Sequence, residues 1–240
     1  MVMLSHFIYS KRNNFIFTYI PKVACTNWKC ILRYLDGHAD YLNTQIAHDR
    51  VRSGLAYLST LQDGEVLLRE PTIPKFTCVR NPYTRILSAY LNKVKPFALD
   101  NATSERDPYF YMIFQKIDAF RKSEFSDTQF VSFGCFLKWI EASGDPLTRN
   151  EHWIPQTEIL GTGEVFFDYI GRFENIQDDA PKLLELMKCD IPFPSQQTVK
   201  FPPTHASDLI KTYYEVDDYR TVNRIYDSDF EYLVYDSKSI

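Results

Sequence analysis

Glycine is scarce in this chain, 8 residues in 240, and neither a Gly/Ser linker nor an internal repeat divides it. Basic charge is not in excess: Lys plus Arg number 27 against 31 Asp plus Glu, a formal net charge of -4. That balance argues against a protein that coats a nucleic-acid backbone, and any anionic ligand has to be gripped by a local arrangement. Cysteine pairs are missing as well. Cys25, Cys30, Cys78, Cys135 and Cys189 are odd in number and contain no CxxC, which speaks against a disulfide framework or a zinc knuckle and for thiols in a reducing compartment. There is no long apolar run: Phe15 to Ile20 is far too short to cross a bilayer, and the opening MVMLSHFIYSKRNN has no basic stretch followed by an apolar one. A cytoplasmic chain with no membrane span is the expectation. On that reading the single sequon, at Asn101, carries no weight.

What is present is core material. The residues are 45% hydrophobic, 15% aromatic and 24% charged, which excludes disorder and suits one domain over residues 1–240. Three strand-to-helix transitions stand out, the pattern of an α/β domain with a short parallel sheet in three layers and a helix-rich C-terminal half. NFIFTYI (14–20) reads as a strand buried on both faces. It leads through PKVACTN into a helix whose stripe is Trp28, Ile31, Leu32 and Leu35, with Thr26 or Asn27 as N-cap and Gly37 as the stop. KFTCVR (75–80) is the second strand, followed by a helix that Asn81 caps and Pro82 opens, with Tyr83, Ile86, Leu87, Tyr90 and Leu91 inward. VFFDYIGR (165–172) is the third, and Asn175 with Asp178 is spaced to cap the helix behind it. Phe130 to Ile140 and Ser207 to Tyr235 read as helices, and the weakly patterned 97–125 as a surface insertion.

The loop PKVACTN puts Lys22 and a hydroxyl where a helix exposes unpaired N-H groups and the positive end of its dipole, an arrangement that suits an anion. An ordinary capped helix with a surface lysine is the competing interpretation. A nucleotide kinase would carry GxxxxGK[ST] here, and this loop has neither the glycines nor the Lys-Ser/Thr ending. In VRNPYTRILSAY, Arg80 ends a strand and Ser88 flanks the next helix's stripe. A guanidinium fork there can hold a phosphate, or simply pair with an acid. In open α/β sheets ligands gather at the carboxyl ends of strands, where Arg80 and the first loop both belong.

Together PKVACTNWK and VRNPYTRILSAY resemble the 5′-phosphosulfate loop and 3′-phosphate motif of PAPS-dependent sulfotransferases, in the form found in carbohydrate sulfotransferases of the chondroitin/dermatan 4-O and HNK-1 type. NEHWIPQ (150–156), YIGRFENIQDD (169–179) and the ending with Tyr226, Asp227, Asp229, Phe230 and Tyr235 are similar to later blocks of that family, in the same order. The resemblance implies a P-loop-NTPase-like sheet topology and transfer of a sulfuryl group from PAPS to a hydroxyl of a carbohydrate acceptor, releasing PAP. It implies that Lys22, Val23, Ala24, Cys25, Thr26, Asn27 and Trp28 wrap the 5′-phosphosulfate, with Lys22 also acting on the leaving oxygen, and that Arg80 and Ser88 hold the 3′-phosphate. The late loop KFPPTHAS (200–207) adds Lys200, Thr204 and Ser207. Departing from the animal members in having no N-terminal anchor, the sequence suggests a soluble bacterial relative.

Sulfuryl transfer needs positioned cations and backbone donors rather than a metal ion, and a base for the acceptor proton. A base that titrates near neutrality selects histidine or a desolvated carboxylate. His152 in NEHWIPQ is the first choice, or else a hydrogen-bonding residue that shapes the acceptor pocket; His48 is the second and Glu151 the third. His6 and His38 are expected to face solvent, Arg172 and Glu174 to form a structural network, QDD and EVDD to be solvated helix faces, and Trp153 is the candidate for stacking on a sugar. A small-molecule or lipid alcohol as acceptor, a P-loop kinase and a non-catalytic nucleotide binder remain alternatives.

Overall fold

Phe15–Thr18 and Lys75–Val79 are buried at every position, as strands at the centre of a parallel sheet should be, with Lys75 Nζ donating to the carbonyls of Glu70 and Ile73. They are two of four strands in the computed structural model, which describes residues 2–100, 102–125, 129–200 and 202–238; the sequon's Asn101 and Phe201 of the late loop lie outside the described residues. The strands are β1 Phe7–Ser10, β2 Phe15–Thr18, β3 Lys75–Val79 and β4 Tyr169–Arg172, and they lie side by side in that order. β2, β3 and β4 run parallel, with Phe17 opposite Phe76 and Cys78 opposite Gly171. β1 is antiparallel to β2, with Ser10 opposite Phe15. The helices are α1 Cys25–Leu35, α2 Thr44–His48, α3 Gly64–Arg69, α4 Pro82–Lys93, α5 Lys95–Ala98, α6 Pro108–Glu124, α7 Phe133–Ala142, α8 Gln156–Leu160, α9 Ile176–Leu186, α10 Gln196–Val199, α11 Ala206–Tyr213, α12 Val216–Ile225 and α13 Asp227–Tyr232. The α/β class expected from the sequence is the class observed, with β1 as the one antiparallel member among the described strands.

The chain packs as two compact units: the residues up to Arg80 with Gln156–Pro203, and Asn81–Pro155 with the residues from Thr204 onward. In the first, the sheet is joined by α1, whose Trp28, Ile31, Leu32 and Leu35 are buried as the stripe requires. Gly37, at φ +87, turns the chain just past the helix. That handedness is easy for glycine and costly for other residues. The second unit is helical and closes on an aromatic core that includes Tyr90, Phe136, Trp139, Trp153 and Tyr226. Asn81 caps α4 as expected, its side chain accepting from the Tyr83 N-H with Pro82 in the first turn.

Several expectations need correcting. The third strand starts at Tyr169, not Val165: Val165 and Phe167 are apolar because they pack in a cluster with Phe7, Ile16 and Leu58, while Phe166 between them is exposed. Asn175 makes no side-chain capping bond to α9. α7 begins at Phe133, where Ser132 accepts from Cys135 N-H, so Phe130 lies outside it. Residues 97–125 hold α6, which turns Phe110, Ile113, Ile117 and the stem of Arg121 inward. Trp153 is fully buried against Phe136 and Trp139 and offers no ring to a sugar. His6 is buried too, its ring 4.7 Å from that of Tyr19 and its Nδ1 3.2 Å from the Tyr19 carbonyl. In QDD and EVDD one acid of each pair faces inward. Asp179 accepts from Arg172 N-H and Tyr169 hydroxyl, and Asp218 accepts from Glu215 N-H in a capping box.

Candidate functional site

In the first unit, Pro21 to Ala24 carry the chain from the carboxyl end of β2 into α1. Lys22 and Ala24 have positive φ, 71 and 49, while Val23 between them and Cys25 after them do not. Such alternation turns successive backbone N-H groups toward one side and forms a concave nest for an anion. A phosphate loop usually reserves those conformations for glycine; here a lysine and an alanine adopt them, at about 1–2 kcal/mol each. The scarcity of glycine is therefore no obstacle to the loop, but its shape has to be held from outside.

Ala24, not Thr26 or Asn27, is the residue that precedes the helix, and it offers no capping side chain. The first intrahelical bond runs from Trp28 N-H to Ala24 O, so helix geometry leaves the amides of Cys25, Thr26 and Asn27 without an intrahelical acceptor. They stand at the positive end of an 11-residue helix. The two expected caps are otherwise engaged: Thr26 Oγ1 lies 2.8 Å from His48 Nε2 at the end of α2, and Asn27 Nδ2 donates to Pro194 O at 2.7 Å. Trp28 and Val23 serve the loop's shape. The indole lies between Phe17 and Phe193, 5.0 and 4.5 Å away, and Val23 is buried with its N-H on Ile20 O.

Arg80 follows β3 and is buried to 4% exposure. Nη1 donates to Lys22 O at 3.0 Å, and the guanidinium carbon sits 4.3 Å from the centre of the Phe173 ring. The backbone of Arg80 is bonded in both directions by the side-chain amide of Gln156: Oε1 accepts from Arg80 N-H at 2.9 Å and Nε2 donates to Arg80 O at 2.7 Å. The loop and the strand end are thus one connected arrangement. Two more cations crowd Tyr19 beside it, with Lys29 Nζ 3.9 Å from the ring centre and Arg50 Nη2 donating to the hydroxyl at 2.9 Å. Lys200 is exposed and closes α10 at φ 50.

In the second unit, Ser88 is buried on α4 and its hydroxyl lies 2.9 Å from that of Thr204. That contact ties Thr204 to α4. Ser207 is exposed in the first turn of α11. His152 Nδ1 lies 2.8 Å from Asn150 Oδ1, and the Phe110 ring meets the imidazole edge to face. The carbonyls of Glu151 and Ile154 accept from the buried guanidinium of Arg85.

Residues 5–236 match the family model described as Sulfotransferase family. The chain belongs to the sulfotransferase family. It is 32% identical over 197 residues to carbohydrate sulfotransferase 14 of Homo sapiens, covering 81% of this chain and 50% of that one. Against carbohydrate sulfotransferase 11 of Danio rerio it is 32% identical over 197 residues, 77% and 53% of the two chains. Against carbohydrate sulfotransferase 10 of Homo sapiens it is 28% identical over 187 residues, 72% and 50%. The chain spans about half the length of these curated relatives. No solved structure matches it.

For a sulfotransferase-family chain, the residues that motif reading leaves without a task are Gln156, Phe173, Tyr19, Lys29 and Arg50. Gln156 and Phe173 do stand inside the quoted blocks NEHWIPQ and YIGRFENIQDD. Lys29 and Arg50 carry no sequence signal beyond their charge, because a cation that packs on an aromatic ring reads the same as one on the surface. All five cysteines are free thiols, and burial pushes Cys30 up to about 11, so it stays protonated at neutral pH. Among the described residues no three His, Cys, Asp or Glu side chains are grouped to hold a metal ion, and no helix is long and apolar enough to cross a membrane.

Proposed function

We propose that the protein is a PAPS-dependent O-sulfotransferase that moves a sulfuryl group onto a hydroxyl of a carbohydrate. The observation that carries this proposal is the Pro21–Asn27 turn, with its left-handed Lys22 and Ala24, open helix-start amides and Arg80 locked to the Lys22 carbonyl. That arrangement suits a ligand with several anionic groups, and family membership directs it to a sulfonucleotide. The donor supplies the sulfur and a good leaving group. The carbohydrate acceptor class is taken from the names of the relatives.

The chain's part is to bind, orient and move one proton. Amides of Cys25, Thr26 and Asn27 with the Lys22 ammonium oppose the charge on the 5′ side, and Lys22 stabilises the oxygen that leaves as the new S-O bond forms. Arg80 takes the 3′-phosphate, and Ser88, Thr204, Lys200 and Ser207 are assigned to the nucleotide by the same family resemblance. The acceptor's proton goes to a histidine. The contact with Thr26 supports His48 as that group, and His152 is the second candidate. None of these steps uses a metal ion, and the free thiols suit a reducing, cytoplasmic setting.

The test is an assay of PAP release and sulfated product with PAPS and a panel of chondroitin, dermatan and simpler sugar acceptors, run beside alcohols of small molecules and lipids. Transfer to a sugar hydroxyl supports the proposal. Transfer confined to simple alcohols moves the acceptor class, and absence of transfer across the whole panel by protein that binds PAP favours a non-catalytic binder.

A further inference from the structure

Arg80 is the first residue beyond β3, where the sheet no longer supplies partners: the last register pair of the β3 and β4 ladder is Val79 with Arg172. A backbone N-H and C=O buried there must be satisfied elsewhere. Gln156 does both. Its primary amide presents an acceptor oxygen and a donor nitrogen side by side, and it faces the Arg80 backbone as a neighbouring strand would, at 2.9 and 2.7 Å. Gln156 is wholly buried, so the arrangement costs desolvation on both sides and holds only while both bonds are made.

The guanidinium is seated as tightly as the backbone. One edge is spent on Lys22 O at 3.0 Å and one face lies on Phe173 at 4.3 Å. A cation fixed in this way loses less conformational entropy when it meets a phosphate than one on a free four-bond stem. A binding group gains affinity when neighbours lock its geometry beforehand. We propose that Gln156 and Phe173 are positioning residues for the nucleotide's 3′-phosphate: they touch no ligand themselves, and they set Arg80 so that the protein distinguishes a 3′-phosphorylated adenine nucleotide from one without that group. The assignment rests on the role given to Arg80 above.

Calorimetric titration of the full chain with PAP and with ADP tests it, on wild type, Gln156→Leu and Phe173→Leu, with thermal unfolding followed in parallel. The wild type is expected to favour PAP by at least about tenfold. In each variant PAP affinity is expected to fall by about tenfold, while ADP affinity stays within about twofold. Phe173 is only half-buried, so that variant serves if loss of the Gln156 amide prevents folding. A PAP-to-ADP ratio unchanged from wild type in either folded variant, or an equal fall for both ligands, overturns the inference and leaves the function standing. A wild type that does not distinguish PAP from ADP removes the function reading itself, and the inference with it.

Discussion

Lys22 and Thr26 illustrate how much of this site is decided by single residues. Lys22 holds a left-handed backbone conformation that its side chain disfavours, and the guanidinium of Arg80 restrains its carbonyl. The Thr26 hydroxyl is paired with His48 Nε2 and does not cap the helix start. His48→Ala is expected to lower kcat by about 100- to 10,000-fold, the range for a general base, while the PAP dissociation constant moves by less than about threefold. Steady-state kinetics beside calorimetry reads the two effects separately. Unchanged turnover would take His48 out of proton transfer and pass the role to His152. The motifs brought Lys22, Thr26 and Arg80 forward as candidates, because charge and hydroxyls at a strand-to-helix junction suit an anion, although a capped helix with a surface lysine gives the same pattern. The Thr26–His48 contact was not legible, since 22 residues separate the two and no local pattern brings them together.

At the scale of elements, β2, α1 and α4 were readable because each is either largely apolar or striped, and β3 because turn residues precede it and a capped, striped helix follows; the structure buries nearly all of those positions. β1 was missed: four residues on the antiparallel side of the sheet, entered through a single 3-10 turn, leave too short a pattern. The start of α1 was misplaced because the usual capping residues stand one or two positions inside the helix, while Ala24 makes the turn by its backbone alone. That strain gives a prediction. Ala24→Gly is expected to stabilise the fold by about 0.5–1 kcal/mol in urea denaturation, since glycine adopts this φ without a Cβ clash. Ala24→Val is expected to destabilise by more than that and to weaken PAP binding, because a branched side chain is poorest in the left-handed region. Equal stability of the glycine variant and wild type would mean that the strain at this residue is no larger than the entropy that glycine adds to the unfolded chain.

Across the whole molecule the family blocks do not coincide with the packing units. VRNPYTRILSAY leaves the first unit after Arg80, and NEHWIPQ returns to it at Gln156. A sequence pattern reports order along the chain and is silent on such exchanges, which is why the amide of Gln156 on Arg80 had to be seen rather than read. Asp179 is one carboxylate whose ionisation the fold favours. Burial alone would raise its pKa, but bonds from the Arg172 N-H and the Tyr169 hydroxyl, with Lys182 nearby, hold it below the ordinary carboxylate value. A depressed carboxylate contributes stability that is present above its unfolded pKa and lost as pH falls through the folded one. Asp179→Ala is therefore expected to cost about 1–3 kcal/mol at neutral pH, with the gap to wild type shrinking below about pH 4. Denaturation curves at both pH values check this, and a gap independent of pH would assign the loss to packing.

With a net charge of -4 the protein does not draw anions by its overall field, so the proposed nucleotide binding would have to come from a local grip, that of the loop and Arg80. The direct measurement is calorimetric titration with PAP, ADP and ATP, the last with and without magnesium, on wild type and Arg80→Ala. PAP is expected to bind at least about tenfold tighter than ADP, and the difference is expected to close in the variant. Tightest binding by ATP with magnesium, or no binding of any of the three, would contradict the sulfonucleotide site.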